Sequence, residues 1–192
     1  MKRIGITGGI GSGKSFVSSI FSDYNFKIFN SDFEAKTIIN TNNEIKNQII
    51  EKFGILSYNS DTLNSEYISN IIFKDNKKLA QLNKIVHPKV YDSYQKFILK
   101  NKTFNTAYES ALLFDYENFK INDYNILITC PEDLRIERIM KRGDLGYDAI
   151  KRIINSQIDY DKKKHIADFC IKNIESQNTK KQVIEIIKKI IL

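Results

Sequence analysis

The sequence is poor in the residues that mark several common protein classes. Among its 192 residues there are two cysteines and two prolines. The cysteines, Cys130 and Cys170, lie in separate apolar stretches, so they suggest neither a disulfide framework nor a metal site, and we expect a reducing, cytoplasmic setting. The scarcity of proline, together with a charged fraction of only 28%, excludes a disordered chain. The length allows one domain, or one core with small insertions, and 42% hydrophobic residues are enough for a sizeable core.

Long apolar runs are missing as well. No stretch of the sequence is apolar over the length that a transmembrane helix needs, so we expect no membrane partner. We also expect no signal peptide, because its removal would destroy the glycine-rich stretch that begins at Gly8.

The formal net charge of +7 favours an anionic ligand, or else reflects a lysine-rich surface. The lysines are spread along the chain, and no basic block is interleaved with aromatic residues. We therefore expect no nucleic-acid partner. A phosphate-rich small molecule explains the excess charge as well as a lysine-rich surface does.

Residues 8–15 (G-G-I-G-S-G-K-S) fit the phosphate-binding pattern G-x-x-x-x-G-K-[ST] at every fixed position. An apolar strand precedes them at residues 2–7, and helical spacing follows at 16–21, so backbone N–H groups and a helix N-terminus can converge on a phosphate. Lys14 is expected to reach the β- and γ-phosphates of a nucleoside triphosphate, and the Ser15 hydroxyl to hold Mg²⁺. The residues expected to bind the nucleotide are Gly9, Gly11, Ser12, Gly13, Lys14 and Ser15.

The rest of the chain alternates strands with helices, which predicts a parallel, doubly wound α/β sheet in one domain. Further strands are expected at residues 26–29, 103–108, 124–129 and 169–171. A strandless block at about 59–100, in which Pro88 kinks or divides a helix, is expected to be a helical insert on the substrate side. A basic, glycine-hinged segment at about 142–165 is typical of a mobile lid. The core then comprises about 1–58, 101–141 and 166–192.

Several charged residues fall where chemistry is expected. Asp32 follows the second strand, where it can act as a general base. It can equally be a first-turn residue that stabilises a helix N-terminus, since Ser31-x-x-Glu34 fits a capping box, and the sequence leaves both roles open. Glu109 ends the third strand, and we expect a salt-bridged surface residue in preference to a metal ligand. Arg138 and Arg142 share a helix face and repel each other unless an anion, such as a triphosphate, lies between them.

Three classes of phosphate-loop protein compete. A GTPase should carry N/T-K-x-D, but none of the Asn-Lys pairs, at 76–77, 83–84 and 101–102, has Asp two residues beyond the Lys. A motor or transport ATPase should have an apolar strand ending in Asp, whereas the strand at 124–129 ends in Thr129 and Cys130. A small-molecule kinase needs a base, an acceptor site and a lid, and the chain has candidates for all three. A non-enzymatic nucleotide-binding switch is the weaker alternative.

The chain resembles the dephospho-CoA kinase family over nearly its full length. The matching segments are residues 6–15, the Asp32 segment, Leu82-Asn83-x-Ile85-x-His87-Pro88, Leu112-Leu113-Phe114 with Asp115, Arg138-x-x-x-Arg142, residues 153–157, and Ala167-Asp168 with Asn173. The resemblance implies a P-loop NTPase fold of the nucleoside-monophosphate-kinase type, with three α/β/α layers, a parallel sheet, a helical substrate insert and a helical lid.

The resemblance also implies a reaction and roles for residues. ATP would phosphorylate the 3′-hydroxyl of the ribose of dephospho-CoA, giving CoA and ADP. Asp32 would be the base, Arg138 would bridge the phosphates with Arg142 nearby, and His87 would lie close to the CoA end. The resemblance further implies that Leu112 binds the substrate and that Phe16 and Asn173 bind the nucleotide.

This sequence departs from the family pattern at several positions. Phe16 stands where Thr or Ser is usual, Ala111 where Pro is usual and Asp115 where Glu is usual, while Arg135 stands where Gln is common. Since Ser15 still supplies the hydroxyl for the metal, we expect an active enzyme. The main rival is a kinase of the same architecture that acts on a nucleoside or nucleotide. We expect a monomer or a weak homo-oligomer.

Overall fold

The computed structural model describes residues 1–72, 75–115, 118–143, 145–157, 159–160 and 162–191. The helices found within these residues are α1 (Lys14–Asp23), α2 (Ser31–Thr41), α3 (Asn43–Phe53), α4 (Ser65–Ile72), α5 (Asn76–Lys100), α6 (Glu132–Arg142), α7 (Tyr147–Ser156) and α8 (Ser176–Ile191). The strands are β1 (Arg3–Thr7), β2 (Lys27–Asn30), β3 (Tyr58–Asn59), β4 (Thr62–Leu63), β5 (Thr106–Glu109), β6 (Tyr124–Thr129) and β7 (Phe169–Lys172). Short 3₁₀ turns occur at Ile55–Ser57, Asn118–Ile121 and Lys164–Ile166.

The chain divides into two compact units. The first consists of Met1–Asn30 and Ile98–Leu192, and the second of Ser31–Phe97. The second unit contains most of the helical insert expected at 59–100, but it begins earlier, with helix α2. The expected lid at 142–165 falls within the first unit, and its positions 144, 158 and 161 lie outside the described residues.

The first unit is built on a five-stranded sheet in the order β2-β5-β1-β6-β7, with every pair parallel. This confirms the parallel α/β fold that the sequence predicts. After β1 the chain forms β2 and β5 on one side of this strand, and it then crosses over to form β6 and β7 on the other side. The carboxyl end of β1 is therefore a topological switch point, where open α/β sheets bind their ligands.

Buried aliphatic residues hold the central strands of this sheet against two helices. Ile4 and Ile6 of β1, with Ile126 and Ile128 of β6, belong to one core cluster and are at most 1% exposed. Residues of α1 and α8 belong to the same cluster: Val17, Ile20, Phe21, Val183, Ile186, Ile187 and Ile190. Because α1 is fixed at its apolar face by this packing, the loop that joins β1 to α1 has both of its ends anchored.

The second unit comprises most of α5 and all of α2, α3 and α4, with a small hairpin. The expectation that no strand occurs between about 60 and 100 was wrong, because Thr62–Leu63 pairs antiparallel with Tyr58–Asn59. The turn between them contains Ser60 in a left-handed conformation (φ 55°), which permits so tight a reversal. Pro88 does not divide its helix, since α5 runs unbroken on both sides of it.

No helix in the described part of the chain is both long enough and apolar enough to cross a membrane.

Candidate active site

The phosphate loop connects β1 to α1 through a backbone that requires glycine. Gly11 and Gly13 have φ angles of 76° and 93°, which side chains other than glycine rarely adopt. Gly13 also lies directly against the Asn173 amide, so that a Cβ at this position would clash with it. The loop ends at Lys14, the first residue of α1, and the N–H groups of the first helical turn lack carbonyl partners one turn back. This is the geometry of an anion site.

The Lys14 side chain folds back over the loop. Its Nζ donates to the carbonyl of Gly8 at 3.0 Å, which places the ammonium group at the loop itself. A cation held there is suited to a phosphate chain that lies along the loop.

Ser15 contacts an acidic residue from a neighbouring strand. Its hydroxyl donates to Glu109 Oε1 at 2.9 Å. Glu109 ends β5, pairs in register with Ile6 of β1, and is only 4% exposed. The expectation of a surface residue was therefore wrong, because the central position of β5 in the sheet buries this carboxylate. Together the hydroxyl and the carboxylate offer oxygen ligands of the kind that Mg²⁺ prefers.

The buried side-chain amide of Asn173 supports the phosphate loop. It is 3% exposed, and its Nδ2 donates to the Ser12 carbonyl at 2.8 Å. Its Oδ1 accepts from the Thr179 hydroxyl at 2.9 Å, and its backbone N–H donates to Thr129. Both polar atoms of the side-chain amide are thus hydrogen-bonded within the protein. The contact of Asn173 with the nucleotide stays a prediction.

Arg138 joins helix α6 to the segment after β7. Its guanidinium donates to the carbonyls of Asn173 at 3.2 Å and Ile174 at 3.0 Å. Arg142 lies four residues further along α6, at the exposed C-terminal end of the helix. Arg138 and Arg142 are four residues apart on α6 and so share a helix face, as the sequence predicts. Their predicted contact with the phosphates is not tested by these hydrogen bonds.

A second guanidinium also reaches the loop. Arg135 Nε donates to the Ile10 carbonyl at 2.7 Å, and Arg135 Nη2 donates to Gln157 Oε1 at 3.1 Å. The same Gln157 oxygen accepts the Ile10 N–H at 3.0 Å. Sequence reasoning missed this arrangement, although Arg135 was visible one turn before Arg138 and Gln157 closes the run at 153–157.

A cavity of about 470 Å³ opens beside the loop on this side. It is lined by Gly9, Ser12, Ile128, Thr129, Cys130, Pro131, Glu132, Arg135, Ile154, Asn155, Gln157, Asp159 and Tyr160. Its position at the carboxyl end of β6 agrees with the place where ligands enter parallel sheets.

Two further predicted positions lie in the first unit. Leu112 is half-buried in the turn after β5, where its backbone N–H donates to the Ser110 hydroxyl at 3.1 Å. Phe16 is 38% exposed in the first turn of α1. Their roles in substrate and nucleotide binding remain predictions.

The second unit brings Asp32 and His87 into one neighbourhood. Asp32 is exposed in the first turn of α2, and His87 is half-buried in α5. Burial lowers the pKa of His87, while the negative charge of Asp32 acts in the opposite direction. The two predicted substrate-side residues therefore share an electrostatic environment within Ser31–Phe97.

Comparison with known proteins points to one family. A family model described as dephospho-CoA kinase matches residues 2–179. A dephospho-CoA kinase of Staphylococcus aureus is 32% identical over 187 residues, which cover 96% of this chain and 90% of that protein. A solved dephospho-CoA kinase from Campylobacter jejuni is 25% identical, with a TM-score of 0.61 over 98% of this chain and 97% of that one. A solved protein of Thermus thermophilus, 21% identical, shares the fold with a TM-score of 0.84 over 98% of this chain and 96% of its own.

The support that Asn173 gives the loop can be tested by removing its amide. We expect Asn173→Ala to lower the free energy of unfolding by about 1–3 kcal/mol, because the Ser12 carbonyl loses its buried donor. Urea denaturation measures the change, with the exposed Asn178→Ala on helix α8 as the matched control. Equal stability of the two variants would contradict the supporting role.

Proposed function

The chain belongs to the dephospho-CoA kinase family, and from this premise we propose how its own residues carry out the reaction. In that reaction the 3′-hydroxyl oxygen of dephospho-CoA attacks the γ-phosphorus of ATP. The bond from the γ-phosphorus to the bridging oxygen breaks, and CoA and ADP leave. The match of the family model along nearly the whole chain, combined with a phosphate loop at the switch point of the sheet, supports this function.

The donor side of the site is proposed to lie in the loop and its neighbours. Residues 8–15 would hold the triphosphate through backbone N–H groups, and Lys14 would reach the β- and γ-phosphates. Ser15 and Glu109 would hold Mg²⁺, which, when bound, neutralises charge on the phosphates. Within the described residues no group of three or more His, Cys, Asp or Glu side chains could hold a metal, and Mg²⁺ at phosphates commonly uses only one or two protein ligands.

The acceptor side is proposed to centre on Asp32. Its carboxylate would orient the 3′-hydroxyl and accept its proton as the oxygen attacks. Two observations support this role: Asp32 follows the carboxyl end of β2 by two residues, and its side chain is exposed. His87, in the same neighbourhood of the second unit, would contact the CoA portion, and Leu112 would contribute an apolar contact to the substrate.

Arg138 and Arg142 are proposed to stabilise the charge that develops during transfer. Arg138 is anchored by two carbonyls rather than by a carboxylate, so that its charge is available to a phosphate. Arg142, on the exposed end of α6, would join it when the basic segment at 142–165 covers the nucleotide. We further propose that the enzyme works in the cytoplasm as a monomer or weak homo-oligomer.

The acceptor can be identified by direct assay. We expect ADP release from ATP to rise at least about tenfold when dephospho-CoA is added, because the water-excluding site needs an acceptor hydroxyl. A panel of nucleosides and nucleoside monophosphates serves as the comparison. Stimulation by a nucleoside instead of dephospho-CoA would establish the rival kinase activity and overturn the proposed function.

Asp32→Asn tests the base. The substitution keeps the shape of the side chain but removes its capacity to take a proton, so we expect turnover to fall by about 10²-fold or more while ATP affinity stays near that of the wild type. Steady-state kinetics with dephospho-CoA and equilibrium titration with ATP measure the two quantities. Glu34→Gln, in the same helical turn, is the control. Turnover within threefold of wild type would reduce Asp32 to a helix-terminal residue.

Glu109→Gln tests the metal site. Glutamine keeps an oxygen that can accept from the Ser15 hydroxyl, but it removes the negative charge next to the cation. We therefore expect the Mg²⁺ concentration for half-maximal activity to rise by about tenfold or more. A Mg²⁺ titration at fixed ATP measures the change, with the exposed Glu185→Gln on helix α8 as the control. An unchanged Mg²⁺ requirement would exclude Glu109 from the metal site.

A further inference from the structure

The guanidinium of Arg135 is held in a fixed orientation by neutral partners. Nε donates to the Ile10 carbonyl at 2.7 Å and Nη2 donates to Gln157 Oε1 at 3.1 Å. In the part of the chain that the structure describes, Nη1 makes no hydrogen bond. A planar fork with two of its nitrogens fixed presents its remaining donors in one direction, which is the arrangement used for oxyanion recognition.

The charge of Arg135 is not cancelled by an ion pair among the described residues. Burial lowers the pKa of this guanidinium, and the nearby Tyr160 and Glu132 act against that effect. The carboxylates that line the cavity have other partners, because Glu132 pairs with Lys151, and Asp159 lies 3.5 Å from Lys162 Nζ. The guanidinium is therefore oriented by neutral acceptors, and its positive charge is available to an anionic ligand.

The loop is shaped to admit this guanidinium. A Cβ built on Gly9 would lie 2.7 Å from Arg135 Cζ and 3.0 Å from Gln157 Oε1, so only glycine allows the fork to lie against the loop. Ser12 also lines this cavity, and within the described residues its buried hydroxyl has no hydrogen-bond partner. The cavity that Arg135 lines is therefore a place where its unused donors can meet a polar ligand.

We propose that Arg135 is an additional phosphate-binding residue of the kinase site, and that Gln157 is a positioning residue that orients it against the loop at Ile10. The inference rests on the proposed function, since it concerns the phosphate groups of that reaction's substrates. The ligand is a phosphate group of ATP or the diphosphate of dephospho-CoA, and the two are separated by the test.

Equilibrium titration of the full-length protein with Mg·ATP and, separately, with dephospho-CoA tests the proposal. We expect Arg135→Gln to weaken one of these ligands by about tenfold or more, because a charge-assisted hydrogen bond is lost. Weakening of Mg·ATP assigns Arg135 to the triphosphate, and weakening of dephospho-CoA assigns it to the diphosphate. Lys141→Gln, which removes an exposed positive charge from the same helix, is the control. Unchanged affinity for both ligands overturns the proposal.

Two substitutions at Gln157 separate ligand binding from a purely structural contact. Gln157→Glu keeps an oxygen for the Ile10 N–H and for Arg135, but its negative charge neutralises the guanidinium. We expect its melting temperature to match that of the wild type while affinity for the same ligand falls by about tenfold. Gln157→Ala removes the orienting contact and should give a smaller loss, of about threefold. If Gln157→Glu binds both ligands as the wild type does, the Arg135–Gln157 pair serves only to hold the loop, and the proposal fails.

A failure of the phosphate-binding role of Arg135 can be distinguished from a failure of the proposed function. Wild-type turnover with dephospho-CoA is measured first, in the same buffer. If dephospho-CoA is not phosphorylated but Arg135→Gln still weakens Mg·ATP, the proposed function fails and the phosphate-binding role holds. If dephospho-CoA is phosphorylated and neither affinity depends on Arg135, the proposed function holds and the phosphate-binding role fails.

Discussion

The backbone of the phosphate loop sets the constraint on which the rest of the site depends. A loop that turns its N–H groups toward an anion turns carbonyls away from it, and carbonyls inside a protein need donors. The donors come from several elements of the first unit. The acceptor and donor pairs are Gly8 with Lys14 Nζ, Gly9 with the Ser12 N–H, Ile10 with Arg135 Nε, Ser12 with Asn173 Nδ2, and Gly13 with the Val17 N–H. The loop is therefore held in shape before any phosphate arrives, which lowers the entropic cost of binding.

The same constraint accounts for the placement of two cations, Lys14 and Arg135, and a third, Arg138, is held in a similar way nearby. Lys14, Arg135 and Arg138 all donate to neutral carbonyls, those of Gly8, Ile10 and the 173–174 segment respectively. An arginine bound to a carboxylate would lose much of its field, whereas Arg135 and Arg138, bound to carbonyls, are oriented and keep their charge. Orientation and charge are both needed to stabilise a phosphoryl group in transfer. The contacts of Lys14 and Arg135 thus support the loop, and under the proposed function the same cations, with Arg138, act on the phosphates.

The parts of this site that depend on local sequence were predictable, and the parts that depend on tertiary contacts were not. The glycine loop, the parallel sheet and the buried strand at Tyr124–Thr129 all follow from patterns over a few residues. The burial of Glu109 depends on β5 lying between β1 and β2, an order that spacing along the chain does not reveal. Arg135 and Gln157 contact each other although they lie 22 positions apart in the sequence. The loop residue that Arg135 contacts, Ile10, lies more than 120 positions before it. The β3–β4 hairpin was missed because strands of two residues carry no periodic signal.

Specificity for an acceptor must therefore come from outside the generic loop. Residues 8–15 and their supporting donors belong wholly to the first unit, whereas Asp32 and His87 belong to the second. Many kinases share the loop, because all of them must hold the same triphosphate; the acceptor is chosen by groups that contact it alone. In this chain the Leu-Asn-x-Ile-x-His-Pro stretch of α5 is the most distinctive segment, and it places His87 in the electrostatic neighbourhood of the proposed base. The assignment of this chain to its family thus agrees with the physics of the site, since the segment that is most specific in sequence belongs to the unit proposed to receive the acceptor.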